Sequence, residues 1–163
     1  MITNKPSKES DRINLLRNAI EHRATWAYLL IDEAKKRGLD TSFAHDAIKR
    51  CGVFHGLNKF PRTDDLKEFA AAFANQDVVD AFEMEIKENS DEHLHIDFHY
   101  CPLVSAWLKL GVKEEEIAEL CDIAMDGDRG IISTYPKFKF ELGKTIAKGD
   151  DVCEIRIDKV EKK

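Results

Sequence analysis

The sequence predicts a helix-rich α+β fold, with a helical N-terminal half and a small antiparallel sheet of at least three strands. Three observations predict it. Apolar residues recur every three or four positions through the first half, the period drops to two between His93 and Cys101, and two further alternating runs flank Gly149-Asp150 like the arms of a hairpin. A chain of 163 residues suits one domain spanning 1–163, helical over 10–90 and strand-helix-helix-hairpin over 91–160. At that size a single core buries roughly 70% of the unfolded surface.

Each element has its own signal. Ser7 or Ser10 can cap a first long helix whose stripe is Ile13, Leu16, Ile20, Ala24, Ala27, Leu30 and Ala34, with Lys35-Lys36-Arg37 at its negative end and Gly38 as a stop. Asp40 or Thr41 opens a second helix through Phe43, Ala44, Ala47, Ile48 and Cys51, ending near Gly52 to Gly56. Residues 58–63, with Pro61, read as a link. Thr63 or Asp64 caps a third stretch over 66–73, and Asp77 opens a further turn through Val78, Val79 and Phe82. In 93–101, Leu94, Ile96, Phe98 and Tyr100 fall on one strand face, with His93, His95, Asp97, His99 and Cys101 on the other. Pro102 starts a helix through Leu103, Val104, Trp107 and Leu108 that stops at Gly111. Ile117, Leu120, Cys121 and Ala124 form the stripe of the next, whose first turn carries Glu114, Glu115 and Glu116. Asp126-Gly127-Asp128-Arg129-Gly130 reads as a break, and Lys159 to Lys163 as a solvated tail.

Composition removes several function classes. The chain has 25 Lys+Arg against 31 Asp+Glu, a net charge of −6, so it lacks the basic excess that nucleic-acid or anionic-membrane binding demands. No apolar run approaches the ~20 residues of a membrane span, and the N-terminal residues hold no signal-peptide core, which predicts a cytoplasmic protein. Its four cysteines are then expected to be reduced thiols rather than a disulfide framework. The partner expected is a small-molecule substrate, with the helical half available as a homodimer interface. Trp26 and Tyr28 fit that interface or a pocket, but most simply the core.

Cys101 carries the most chemical information. At the end of a strand and directly before Pro102 it would be a helix N-cap, where the positive end of the dipole lowers a thiol pKa and yields the nucleophilic thiolate. His99 lies two residues back on the same strand face, about 6.5–7 Å away at Cα, with Asp97 and His95 beyond it. The plain alternative is a solvated sheet face. A third reading is a metal site, in which zinc or another divalent ion takes His93/His95 or His99/Cys101 together with Cys121, Cys153 or Asp126. Neither CxxC nor HExxH spacing supports it, so no metal and no cofactor is expected. Cys121 and Cys153 fall on apolar stripes and read as core, and Cys51 is unassigned.

Four strings together carry a family resemblance. They are His22-Arg23-Ala24-Thr25-Trp26-Ala27-Tyr28-Leu29-Leu30 with Glu33 and Lys36-Arg37-Gly38, His99-Tyr100-Cys101-Pro102-Leu103-Val104 with Trp107, the run from Leu120 through Cys121 and Met125 to Gly130, and Lys148-Gly149-Asp150-Asp151-Val152-Cys153. The chain resembles the L-2-amino-thiazoline-4-carboxylic acid hydrolase family from about Ile20 to Ile157. The resemblance implies a cytosolic bacterial hydrolase acting on a C–N bond of a cyclic amidine-like substrate and opening a thiazoline ring toward N-carbamoyl-cysteine. On that implication Cys101 attacks the amidine carbon, His99 moves the proton and Asp126 or Asp128 holds the amidinium; a non-covalent version keeps the carboxylates and uses His99 as a base for water, and the sequence leaves both open. Arg129 or Arg23 takes the substrate carboxylate, with Asp97 and His95 lining the site. A non-catalytic small-molecule or metal-binding domain is the alternative.

Overall fold

The structure, a computed structural model, describes residues 1–160. In chain order it runs α1 (Asp11–Lys36), α2 (Ser42–Asn58), α3 (Leu66–Phe73), α4 (Gln76–Phe82), β1 (Met84–Asn89), β2 (His93–Phe98), α5 (Pro102–Lys109), α6 (Glu114–Ser133), β3 (Phe138–Leu142), a 3-10 turn (Ile146–Lys148) and β4 (Cys153–Lys159). The expected α+β class is observed, as one antiparallel sheet in the order β1-β2-β4-β3. Among the described residues no helix is long and apolar enough to cross a membrane.

Side-chain caps set several starts: Ser10 accepts from Ile13 N–H, Asp65 from Lys67 and Glu68, and Asn75 from Val78. The caps of α3 and α4 are therefore Asp65 and Asn75, where sequence periodicity points to Thr63 or Asp64 and to Asp77. Period-two alternation buries Leu94, Ile96 and Phe98 of β2 beside Cys153, Ile155 and Ile157 of β4, and α5 and α6 contribute Val104, Trp107, Ile117 and Leu120 to the same core. Each such side chain fully removed from water contributes about 1.5–3 kcal/mol. Trp107 also donates its indole N–H to the Ala24 carbonyl at 3.1 Å, which locks α5 onto α1.

Four expectations need correcting. The run 126–130 is no break, because α6 passes straight through it, and α2 likewise continues past Gly56. The glycines of both helices form a seam on which the two backbones meet. A Cβ on Gly52 would collide with the Gly127 carbonyl and one on Gly130 with the Lys49 carbonyl, while one on Gly56 would lie 2.7 Å from Thr134 Oγ1. Glycine here serves close approach and not chain reversal. Secondly, β1 went unread, because only Met84 of its six residues is buried. Thirdly, Trp26 is 63% exposed and outside the core, whereas Tyr28 packs against it. Lastly, Lys159 closes β4 and Val160 N–H bonds the Lys137 carbonyl; the remainder of the expected tail, 161–163, lies outside the described residues.

Gly52→Ala should therefore cost more than Ala's helix propensity returns, by several kcal/mol, because backbone rather than a flexible side chain blocks the methyl. Thermal unfolding beside Gly111→Ala, whose Cβ meets nothing within 4 Å and whose cost is confined to its φ of +75°, checks this. A smaller loss at Gly52 would contradict the seam.

Candidate active site

The sheet has two chemically opposite faces. On the outer one, His93 pairs across with Asp158, His95 with Arg156 and Asp97 with Glu154. Asp97 accepts from Arg156 at 2.8 Å, His95 Nε2 lies 2.9 Å from Asp158 Oδ1, and His99 Nε2 lies 2.9 Å from Glu85. These are satisfied, partly exposed cross-strand pairs, the pattern of a solvated face.

The inner face holds Cys101, and here the extrapolated alternation fails. The β1–β2 ladder ends at Met84↔Phe98. Beyond it His99 and Tyr100 N–H groups turn to the Glu83 and Phe82 carbonyls. His99 points out, while Tyr100 and Cys101 both turn inward and are buried. The His99–Cys101 pair does not form, and Asp97 and His95 stay on the far side of the sheet.

Cys101 is the α5 N-cap with Pro102 at the first helical position, as the residues predict, but its side chain makes no capping hydrogen bond. Burial pushes its thiol up to about 11, only partly offset by the Val104 and Leu103 N–H groups and the charge of Arg23. Desolvation outweighs the helix dipole, so the expected low-pKa thiolate is overturned: at neutral pH Cys101 is a thiol. It lines a small apolar cavity of about 30 Å³ together with Phe98, Trp107, Met125, Cys121 and Cys153. Burial likewise pushes Cys121 up to about 12 and raises Cys153 further. Both are core thiols; like Cys101 and the exposed Cys51 they are free, as expected of reduced cysteines.

The N-cap is held by residues far away in sequence. Asn4 donates to the Cys101 carbonyl at 2.8 Å and accepts from the Cys101 N–H at 2.9 Å. One residue earlier, Arg17 stacks on the Tyr100 ring at 4.3 Å and pairs with Glu83 at 2.9 Å.

Asp126 and Asp128 part company. Asp126 lies 2.6 Å from His45 Nδ1 and accepts from Arg129 at 2.8 Å; Arg129 also binds Asp122 at 2.7 Å, so neither Asp126 nor Arg129 is free for a ligand. Asp128 is one turn beyond Ala124 and Met125 on α6, half-buried and outside the residues that line the cavity. Burial pushes its carboxyl up to about 6, against the opposing charges of Arg23 and Arg129. Arg23, on the exposed side of α1, thus acts on both Cys101 and Asp128. It also acts on His55 of α2, which burial keeps below the usual histidine range. The buried Nδ1 of His55 has no hydrogen-bond partner. Of the expected site residues the fold leaves Arg23, Cys101 and Asp128 linked by the reach of the Arg23 charge alone, with no hydrogen bond or ion pair among them. It adds Asn4 and His55, for which the sequence holds no local signal, since helix α2 reads as an ordinary amphipathic element.

These positions can bind a carboxylate through Arg23, pair a cation with Asp128 and take up a proton on neutral His55. Cys121, Cys153 and Asp126 lie away from the outer face and cannot complete a metal site with His93 and His95. The larger surface depression, lined by Arg62, Thr134 and Tyr135, has its arginine committed to the Gly56 and Thr134 carbonyls and the Tyr135 ring.

Iodoacetamide at pH 7 should label exposed Cys51 first and leave Cys101, Cys121 and Cys153 slow, by at least tenfold, in peptide-resolved mass spectrometry. Prior labelling of Cys101 would contradict its burial.

A loose likeness is found with the crystal structure of a trafficking protein particle complex subunit 3 from Naegleria fowleri covalently bound to palmitic acid, at a TM-score of 0.43 and 18% identity over 93% of this chain and 84% of that one. No curated protein matches the sequence. A family model, L-2-amino-thiazoline-4-carboxylic acid hydrolase, matches residues 17–157, nearly the full chain and including Arg23, His55, Cys101 and Asp128. The chain belongs to the L-2-amino-thiazoline-4-carboxylic acid hydrolase family.

Proposed function

We propose that the chain is a hydrolase that opens a small cyclic amidine-like ring of the 2-aminothiazoline carboxylate type. The observation carrying this reading is the buried, unpartnered Nδ1 of His55, which lies within the reach of the same Arg23 charge that bears on Cys101 and Asp128. A zwitterionic substrate needs a cation for its carboxylate and an anion for its amidinium, and Arg23 and Asp128 supply that pair of opposite charges. The desolvation around Asp128 strengthens its half of that pair.

The atom balance amends the bond expected to break. N-carbamoyl-cysteine keeps both C–N bonds of the amidine carbon, so the ring must open at its C–S bond. Water adds to the amidine carbon, the adduct collapses to a carbonyl, and the electron pair of the broken bond leaves on sulfur, which takes up a proton. His55, neutral and unpartnered, suits removal of the water proton. Water is the nucleophile in this reading, because a thiol raised to about 11 offers very little thiolate at pH 7. A second reading, ligand binding without turnover, is favoured by the burial that keeps Cys101 a neutral thiol.

The test is ring opening of L-2-amino-thiazoline-4-carboxylate by wild type and variants. Arg23→Met and Asp128→Asn should each lower kcat/KM by 10- to 100-fold, while His99→Ala and Asp97→Asn on the outer face stay within about threefold. Cys101→Ala should keep at least a tenth of the activity; complete loss with the fold intact would make Cys101 the nucleophile. Asp128 must be ionised to pair with the amidinium. Its raised pKa means the proton returns as pH falls through about 6, so wild-type kcat/KM should decline below that pH. Tight binding without turnover would leave the second reading.

A further inference from the structure

The outer sheet face holds three ligating groups that the hydrolytic reading leaves unused. His93 and His95 stand two residues apart on β2, on the same face, and Asp158 of β4 sits opposite His93 in the ladder. One oxygen, Asp158 Oδ1, lies 2.7 Å from His93 Nδ1 and 2.9 Å from His95 Nε2. All three ligand atoms fall within 4.8 Å of one another, and no other such group of His, Cys, Asp or Glu occurs among the described residues.

We propose that His93 Nδ1, His95 Nε2 and Asp158 Oδ1 form a binding site for a divalent first-row transition-metal ion of the zinc class, separate from the Cys101 region. The donor set of two imidazoles and one carboxylate suits zinc, cobalt or nickel better than calcium or magnesium, which prefer all-oxygen shells. The geometry is close to what an ion requires. Metal–ligand bonds of ~2.1 Å place neighbouring ligand atoms ~3.0–3.5 Å apart, so a small outward movement of the imidazoles opens the space. The ion takes the lone pair of the ring nitrogen facing Asp158 on each histidine, so a neutral ring carries its proton on the other nitrogen and a protonated ring releases one proton to solvent.

Two further features favour the site. Behind His95, its other ring nitrogen lies 3.8 Å from Glu88 Oε2, which can orient the ring and raise its basicity, as a carboxylate does behind many metal-bound histidines. All three residues are also partly exposed, with side chains 48%, 28% and 32% accessible, so water can complete the coordination shell and an ion can enter without any rearrangement of the core.

The experiment is calorimetric titration of Zn²⁺ into the full chain carrying Cys51→Ser, which removes the exposed competing thiol. One ion per chain with a micromolar Kd is expected, weakened at least tenfold by His95→Ala or Asp158→Asn and abolished by His93→Ala with His95→Ala. Circular dichroism checks that these half-exposed substitutions leave the fold intact. As a second readout, Co²⁺ should broaden the amide resonances of residues 93–95 and 156–158 before any others. Absence of binding, or an affinity unchanged in the variants, would overturn the site.

Discussion

The buried ion pair between Arg17 and Glu83 is the interaction on which the geometry around Cys101 rests. Both side chains are nearly inaccessible, 4% and 5%, at 2.9 Å. Burial alone would raise the Glu83 carboxyl, yet Ser7 Oγ–H, the Lys8 and Ser7 N–H groups and Arg17 together hold it below the usual carboxylate range. Arg17 in turn donates to the carbonyls of Ala81, Lys8 and Asp80. A buried pair this fully hydrogen-bonded meets the condition under which attraction offsets desolvation, and losing one partner costs about 3–5 kcal/mol. Glu83 also adopts a left-handed φ of 50° at the α4–β1 junction, a conformation that costs on the order of 1 kcal/mol and persists only where surroundings enforce it.

What that pair positions is a chain of backbone contacts ending at the thiol. The Glu83 carbonyl receives His99, the Phe82 carbonyl receives Tyr100, Arg17 covers the Tyr100 ring, and Asn4 clips both backbone groups of Cys101. The glycine seam does the corresponding work on the other wall. It brings α2 against α6 until backbone meets backbone at Gly52, Gly127 and Gly130. Charge is thereby separated across the sheet. Outside, carboxylates and imidazoles are paired and wet. Inside, thiols are neutral and one carboxyl is raised toward neutrality, which suits a site that must desolvate a zwitterion before adding water to it.

How much of this is legible in the residues depends on the range of the interaction. Periodicity reveals the helices and β2, because the face each residue takes is set by its neighbours one turn or one step away. The Pro102 signal correctly marks Cys101 as an N-cap. The thiol's chemistry is not legible, since burial by Cys121 and Met125 of α6 and Cys153 of β4 comes from segments 20 or more residues away and reverses the expected direction of the pKa. Pairing His99 with Cys101 extends the alternation three residues past Phe98, where the ladder that enforces it has ended. The 126–130 run misleads because glycine marks a turn locally and a helix contact globally, and only the facing Gly52 and Gly56 distinguish the two. Asn4 acts on Cys101 across 97 positions and Arg17 on Glu83 across 66, with no local pattern to announce them.

The central claim is that substrate is held on the inner side, between Arg23 and Asp128, and not on the outer sheet face. A crystal structure of the chain with a non-hydrolysable 2-aminothiazoline carboxylate analogue tests it most directly. The account predicts the carboxylate on Arg23, the amidinium on Asp128 and the ring carbon facing His55. An analogue bound along His93, His95 and Asp97, with Arg23 and Asp128 untouched, would contradict it.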